Sequence, residues 1–347
     1  MSEVKRCIVS ALFLTVCLCS CNFIVLPDED ALAGNRSVST GEANVERDNV
    51  YSAANNSGDY YMITFSSGVQ YWAGCFEGMQ RAAEELGVNA IYTGAAEADY
   101  VEETQVLEQV IAKKPAGILI SPVNGDAMKD VIDRTYNAGI PIICFDSDSA
   151  GSNRYSFVGT ESRTAGAAAA KEMAEAIGHK GYVAVVLFPG LMNQEERNIG
   201  FTEYMRENEP DITVLESVNG GQNENDSAAA TLSLISAHPE IDGIFAVTGW
   251  TGLGAGQAIE EAGRADDICC ICFDTDEGVL DYIEKGVLYG TCAQGTQQMG
   301  YWGLQFLYAI NNQSVVPGWQ EKNISPVPTK LDTGVTIVKK GYTESYR

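Results

Sequence analysis

One stretch of this chain is written twice. Gly117-Ile118-Leu119-Ile120 leads through an amphipathic segment to Ala138-Gly139 and then to Cys144-Phe145-Asp146-Ser147-Asp148. Gly243-Ile244-Phe245-Ala246 leads in the same way to Ala262-Gly263 and Cys272-Phe273-Asp274-Thr275-Asp276. The offset is 126 residues at the glycines Gly117 and Gly243, and 128 at Asp146 and Asp274. Earlier in each copy an apolar run, a polar loop and a helical pattern carrying Gly78 or Gly200 also correspond. A fold for this chain must therefore hold two similar units, each built from alternating strands and helices.

The pattern around the repeat supports that reading. Apolar runs at 61–65, 90–93, 117–121, 140–145, 182–188, 213–218, 243–247, 269–273 and 289–293 read as strands. Amphipathic stretches at 72–86, 102–113, 127–138, 162–177, 195–207, 228–237 and 254–262 read as helices. Continuous apolar strands separated by helices predict parallel sheets covered on both faces, an α/β fold of two Rossmann-like lobes. In open sheets of this kind ligands sit beyond the C-terminal strand ends. A buried strand has no hydrophobic reason to finish Phe-Asp-x-Asp. Asp148 and Asp276 read as helix caps. Asp146 and Asp274 read as functional, since matching acids at the mouths of two lobes can converge on one ligand.

Several classes of function fall away on composition. With 22 Lys and Arg against 47 Asp and Glu, the 347-residue chain carries a formal charge of −25, which repels a nucleic acid. Two histidines, His179 and His238, leave little for a zinc site or a His-based triad, and no metal or cofactor is expected. No phosphate loop, zinc helix or nucleophile elbow occurs. Gly252-Leu253-Gly254-Ala255-Gly256, about twenty residues before Asp274, imitates a dinucleotide-binding loop and keeps a nucleotide-dependent enzyme as a rival reading. Against it, Gln257 stands at the third glycine position and the first copy of the repeat lacks these glycines. Of the ten cysteines, Cys75, Cys144, Cys269, Cys270, Cys272 and Cys292 fall in or near the fold and read as buried free thiols.

The N-terminal residues belong to targeting. Lys5 and Arg6 precede an apolar run that ends in Leu18-Cys19-Ser20-Cys21, which resembles a bacterial lipobox. Residues 1–20 are expected to be a lipoprotein signal peptide, Cys21 the lipidated residue, and 21–59 a flexible tether. The expected location is extracytoplasmic, with membrane attachment through the lipid alone.

An ordered series of motifs carries a family resemblance across roughly residues 60–340. It comprises Tyr71-Trp72 with Gly78; Ala138-Gly139-Ile140-Pro141 running to Phe145-Asp146; Val158-Gly159-Thr160; Arg197-Asn198-Ile199-Gly200-Phe201; His238-Pro239-Glu240-Ile241-Asp242; Phe273-Asp274; and Ala293-Gln294 with Met299-Gly300. The chain resembles the periplasmic sugar-binding proteins of the ribose and galactose type, receptors of ABC importers. The resemblance implies the type I architecture, with lobes at 60–160 plus 295–330 and at 161–294 plus 331–347, and hinge crossings near Thr160, Gly295 and Leu331. It implies a monomer that clamps a monosaccharide or similar small polyol and hands it to an ABC permease, with no enzymatic step.

The physics of sugar capture suits the matched residues. Tyr71 and Trp72 offer aromatic faces for the C–H side of a ring. Asp146 and Asp274 accept from hydroxyls, Arg197 donates, and Gln294 does both. Ser121, Gln222 and Trp250 are further candidate contacts. Val69-Gln70 and Thr248-Gly249 depart from the family's usual asparagine and Asn-Asp, which implies a less polar site on one side. A sensor feeding a chemoreceptor or histidine kinase, and a purely structural lipoprotein, are the other readings.

Overall fold

The computed structural model describes residues 58–322 and 324–346. The expected signal peptide, Cys21 and nearly all of the expected tether lie outside these residues. Asp59, placed in the tether, already opens the first strand.

In chain order the elements are β1 (Asp59–Thr64), α1 (Tyr71–Leu86), β2 (Asn89–Gly94), α2 (Tyr100–Ala112), β3 (Gly117–Ser121), α3 (Lys129–Asn137), β4 (Ile142–Phe145), β5 (Phe157–Gly159), α4 (Ser162–Ala176), β6 (Gly181–Leu187), α5 (Met192–Asn208), β7 (Ile212–Val214) and β8 (Val218–Asn219). There follow α6 (Glu224–Ala237), β9 (Ile241–Ala246), α7 (Gly249–Glu261), β10 (Cys269–Phe273), α8 (Glu277–Lys285), β11 (Gly290–Gln294), α9 (Thr296–Asn312), α10 (Trp319–Lys322), β12 (Lys330–Asp332) and β13 (Val335–Lys339). They form two sheets of matching order, β12-β5-β4-β3-β1-β2 and β13-β11-β10-β9-β6-β7, with β8 added beside β6. Every pairing is parallel except β11 with β13. The repeat seen in the sequence is thus a repeat of topology, with β3 and β4 of one lobe standing where β9 and β10 stand in the other.

Burial on both faces explains the continuous apolar strands. In β1, Tyr60 and Met62 enter one core cluster while Tyr61 and Ile63 enter the cluster on the opposite face. In β6, Val183, Val185 and Leu187 pack on one side and Ala184 and Val186 on the other. Side chains of successive strand residues point to opposite faces, so each helical layer needs its own set of apolar positions. Helix α9 returns to the first lobe and packs against α1, with Met299, Leu304 and Leu307 in the same core as Met62 and Met79.

The backbone passes between the sheets after β5, after β11 and after β12. The third passage departs from expectation. Leu331, where the crossing was placed, pairs with Val158 inside the first sheet, and the chain leaves only at Thr333–Gly334 before joining the second sheet at Val335. Asp332 holds this passage, since its Oδ1 accepts from the amides of Glu161 at 3.0 Å and Gly334 at 2.9 Å. Among the described residues no helix is long and apolar enough to cross a membrane.

Candidate functional site

Strands β4 and β10 each end on an aspartate in the left-handed backbone region, Asp146 at φ 57° and Asp274 at φ 68°. Residues other than glycine adopt this conformation uncommonly, and such strain gathers at functional sites. Both amides are held alike. Asp146 N donates to Val158 O at 3.2 Å and Asp274 N to Cys292 O at 3.0 Å, in each case across to the neighbouring strand. The turn aims the two carboxyls at one space between the sheets.

That space is a cavity of about 1090 Å³ at the C-terminal strand ends. Tyr71, Trp72, Asp146, Arg197, Gln222, Trp250, Asp274 and Gln294 all line it. Ser121 does not. It is fully buried beneath Asp146 and donates from Oγ to Asp146 Oδ2 at 3.2 Å, so it supports the acid. The small side chain at the end of β3 lies too deep to reach the cavity.

The acids come pre-oriented. Asp146 Oδ1 accepts the Tyr71 hydroxyl at 2.7 Å. Asp274 Oδ1 accepts Gln294 Nε2 at 2.8 Å, and its Oδ2 accepts the Gly249 amide at 3.3 Å. Burial raises the Asp146 carboxyl above the ordinary range; the Tyr71 hydrogen bond and the Arg197 charge oppose that shift, and the charge of Asp274 adds to it. Burial, and then the charge of Asp146, push the Tyr71 hydroxyl well up, so it stays a donor. Arg197, 3% exposed, donates from Nη1 to Val247 O at 2.9 Å and lies 3.9 Å over the Phe273 ring. A cation fixed on an aromatic face beside two carboxyls is suited to bridging vicinal hydroxyls.

The two adjacent aromatics differ in setting. Trp72 is 4% exposed and packs edge-on against Phe65, Tyr71 and Phe145 at 5.3, 4.9 and 5.8 Å. Tyr71 stands half-buried between that cluster and Asp146. On the second lobe Trp250 donates from Nε1 to Gly221 O at 3.4 Å, which steadies the loop carrying Gln222.

Two expected helix caps are not made. The Asp148 carboxylate forms a bidentate pair with Arg154, including Nη2 to Oδ2 at 2.6 Å. Asp276 stands at the start of α8 without a side-chain cap, and its Oδ2 lies where a Cβ on Gly249 would come within 2.3 Å. An alanine at 249 would have to push that carboxylate aside. Burial, with Asp274 and Glu224 nearby, lifts Asp276 to about 6. Thr248 caps α7 through a reciprocal bond with Thr251, and its hydroxyl is spent on that contact.

The glycine run at 252–256 lies inside α7 and forms no loop. A Cβ at Gly252 would meet Cys272 at 2.5 Å, one at Gly254 the Glu224 carbonyl at 2.5 Å, and one at Gly256 the Tyr282 ring at 2.8 Å. These glycines let α7 pack closely on α6, β10 and α8. The six thiols are free, five of them buried. Burial lifts Cys269 and Cys272 to about 12.

The same architecture occurs in known proteins. The model of the periplasmic binding protein domain matches residues 60–313. A sugar ABC transporter's sugar-binding protein from Bacillus halodurans superposes with a TM-score of 0.81 at 40% identity, covering 83% of this chain and 100% of that one. AraP, an arabinose-binding protein from Geobacillus stearothermophilus, superposes at 0.78 with 37% identity over 84% and 99%. The ribose import binding protein RbsB of Bacillus subtilis is 25% identical over 258 residues, 74% of this chain and 81% of that protein. Two sheets of one topology, a cavity between their strand ends and a domain match along most of the length agree: the chain belongs to the periplasmic binding protein family.

Proposed function

We propose that this protein captures a monosaccharide or a closely similar polyol between its two lobes and delivers it to an ABC permease. The observation that carries the reading is the pair of left-handed aspartates, one from each lobe, meeting Arg197 and Gln294 in a single cavity. Hydroxyl groups of the ligand donate to Asp146 and Asp274 and accept from Arg197 and Gln294, while Tyr71 covers an apolar face. An analogue lacking one hydroxyl leaves a buried polar group unpaired, at a cost of about 1–3 kcal/mol. Relatives named for ribose, allose, arabinose and tagatose support pentoses and hexoses as the first ligands to test. The lobes close on the ligand by bending where the chain passes between the sheets, near Thr160, Gly295 and Thr333–Gly334. Cys21 carries the lipid that keeps the protein at the outer side of a bacterial membrane, and the binding unit works as a monomer.

The test is a thermal-shift screen, followed by calorimetry, with D-ribose, D- and L-arabinose, D-xylose, D-allose, D-tagatose and xylitol. A ligand present at about 100 times its Kd adds about 2.7 kcal/mol of stability, which raises Tm by roughly 2–4 °C per kcal/mol at this size. No shift with any of these compounds at millimolar concentration rejects the ligand class.

A further inference from the structure

The first two turns of α5 hold donors without acceptors. Gln194 is fully buried, and its Oε1 accepts the Phe188 amide proton at 2.8 Å. A backbone N–H can only donate, so this contact decides which end of the amide is oxygen and leaves Nε2 on the other side. Nε2 has no hydrogen-bond partner. One turn on, Arg197 Nε is likewise buried without a partner. Both residues line the interlobe cavity, as do Leu191, Met192 and Asn193 at the helix start, where α5 lacks any side-chain cap. Buried donors are rarely left unpaired, and these lie together at one wall of a ligand cavity.

The protein's own carboxylates do not answer them. Glu195 Oε1 turns back to the Gly190 amide at 3.1 Å, and Glu196 Oε2 takes Arg163 Nε at 3.0 Å. The nearby Asp146 and Asp274 are occupied by the partners already described. We propose that Gln194 is a ligand contact, donating from Nε2 to an uncharged hydroxyl oxygen of the bound sugar beside Arg197. The oxygen is uncharged because Asp146, Asp274, Asp276 and Glu224 line the same cavity against only Arg197 and Lys330, a field that opposes a carboxylate or phosphate. The inference rests on the sugar-binding reading and deepens it, by naming a second-lobe donor that the motif comparison passes over.

Gln194→Glu separates the contact from a structural role, since a glutamate oxygen still accepts from Phe188 while the Nε2 donor is gone. Calorimetry compares wild type and variant with the tightest-binding sugar of the panel above and with its monodeoxy forms, and Tm without ligand checks the fold. The expected result is about 10-fold or greater weakening for the parent sugar, with near-equal affinity of the two proteins for the one deoxy form that lacks the acceptor. Unchanged affinity of Gln194→Glu for the parent sugar, or an equal loss for every deoxy form, overturns the contact and leaves sugar binding standing. Wild type that binds no sugar overturns both. Should Gln194→Glu not fold, Gln194→Met is read by the same criterion.

Discussion

At the scale of single residues the protein holds ionisable groups in places that water does not reach. Glu103 on α2 is fully buried, with Oε2 accepting the Val123 amide at 2.9 Å and Oε1 unpartnered. Burial pushes its carboxyl from 4.5 to about 8. The folded protein therefore keeps a proton there that the unfolded chain loses above about 4.5. Stability from this group is complete at low pH and is lost as pH rises towards 8. Glu103→Gln stays neutral throughout, so its Tm is expected to match wild type near pH 4.5 and exceed it at pH 8.5 to 9; a constant difference across that range would contradict the assignment. Such groups are poorly legible in sequence. Asp146 and Asp274 stand out because each ends an apolar strand of the repeat, whereas Arg197 and Gln294 stand out only through their places in the family motifs. Glu103 and Gln194 look like any charged or amide residue on a helix, because only the packed structure shows which ones are enclosed.

At the scale of elements, paired glycines bring helices into backbone contact in both lobes. In the first lobe a Cβ on Gly78 of α1 would sit 1.9 Å from the Gln297 carbonyl oxygen, and one on Gly300 of α9 would sit 1.8 Å from that of Cys75. In the second, a Cβ on Gly166 of α4 would sit 2.0 Å from the Arg197 carbonyl oxygen, and one on Gly200 of α5 would sit 1.9 Å from that of Arg163. Helix backbones cannot yield as a side chain can, so Gly200→Ala should cost about 1–3 kcal/mol and lower Tm accordingly. Gly68, with open space around its Cβ position, is the control and should tolerate alanine. The correspondence of Gly78 with Gly200 was visible in the sequence, and so were the long apolar strands. Strands β5 and β12 were not, since each has three residues and β12 is largely exposed. In β13 only Val338 is buried, too little for a continuous apolar run to show.

At the scale of the whole molecule, three backbone passages join two lobes that face each other across the cavity. Asp332 links two of these passages, and the Lys330–Glu161 pair at 3.4 Å spans the same region. On the proposed function, bending there would bring Asp146 of one lobe and Asp274 of the other around the sugar, since both line the one cavity. Scattering of the sugar-saturated protein is expected to give a smaller radius of gyration than that of the empty protein. An unchanged radius despite calorimetric binding would contradict closure.

The late passage from β12 to β13 also bears on how the chain becomes native. A ribosome delivers β1 to β5 early, yet the first sheet receives its edge strand only when Lys330–Asp332 emerges, and the second receives its own at Val335–Lys339. Until then β5 and β11 stand as the edge strands, with backbone groups free to pair with a stranger. Both lobes acquire their last strands within ten residues of one another, so neither can finish folding well ahead of its twin.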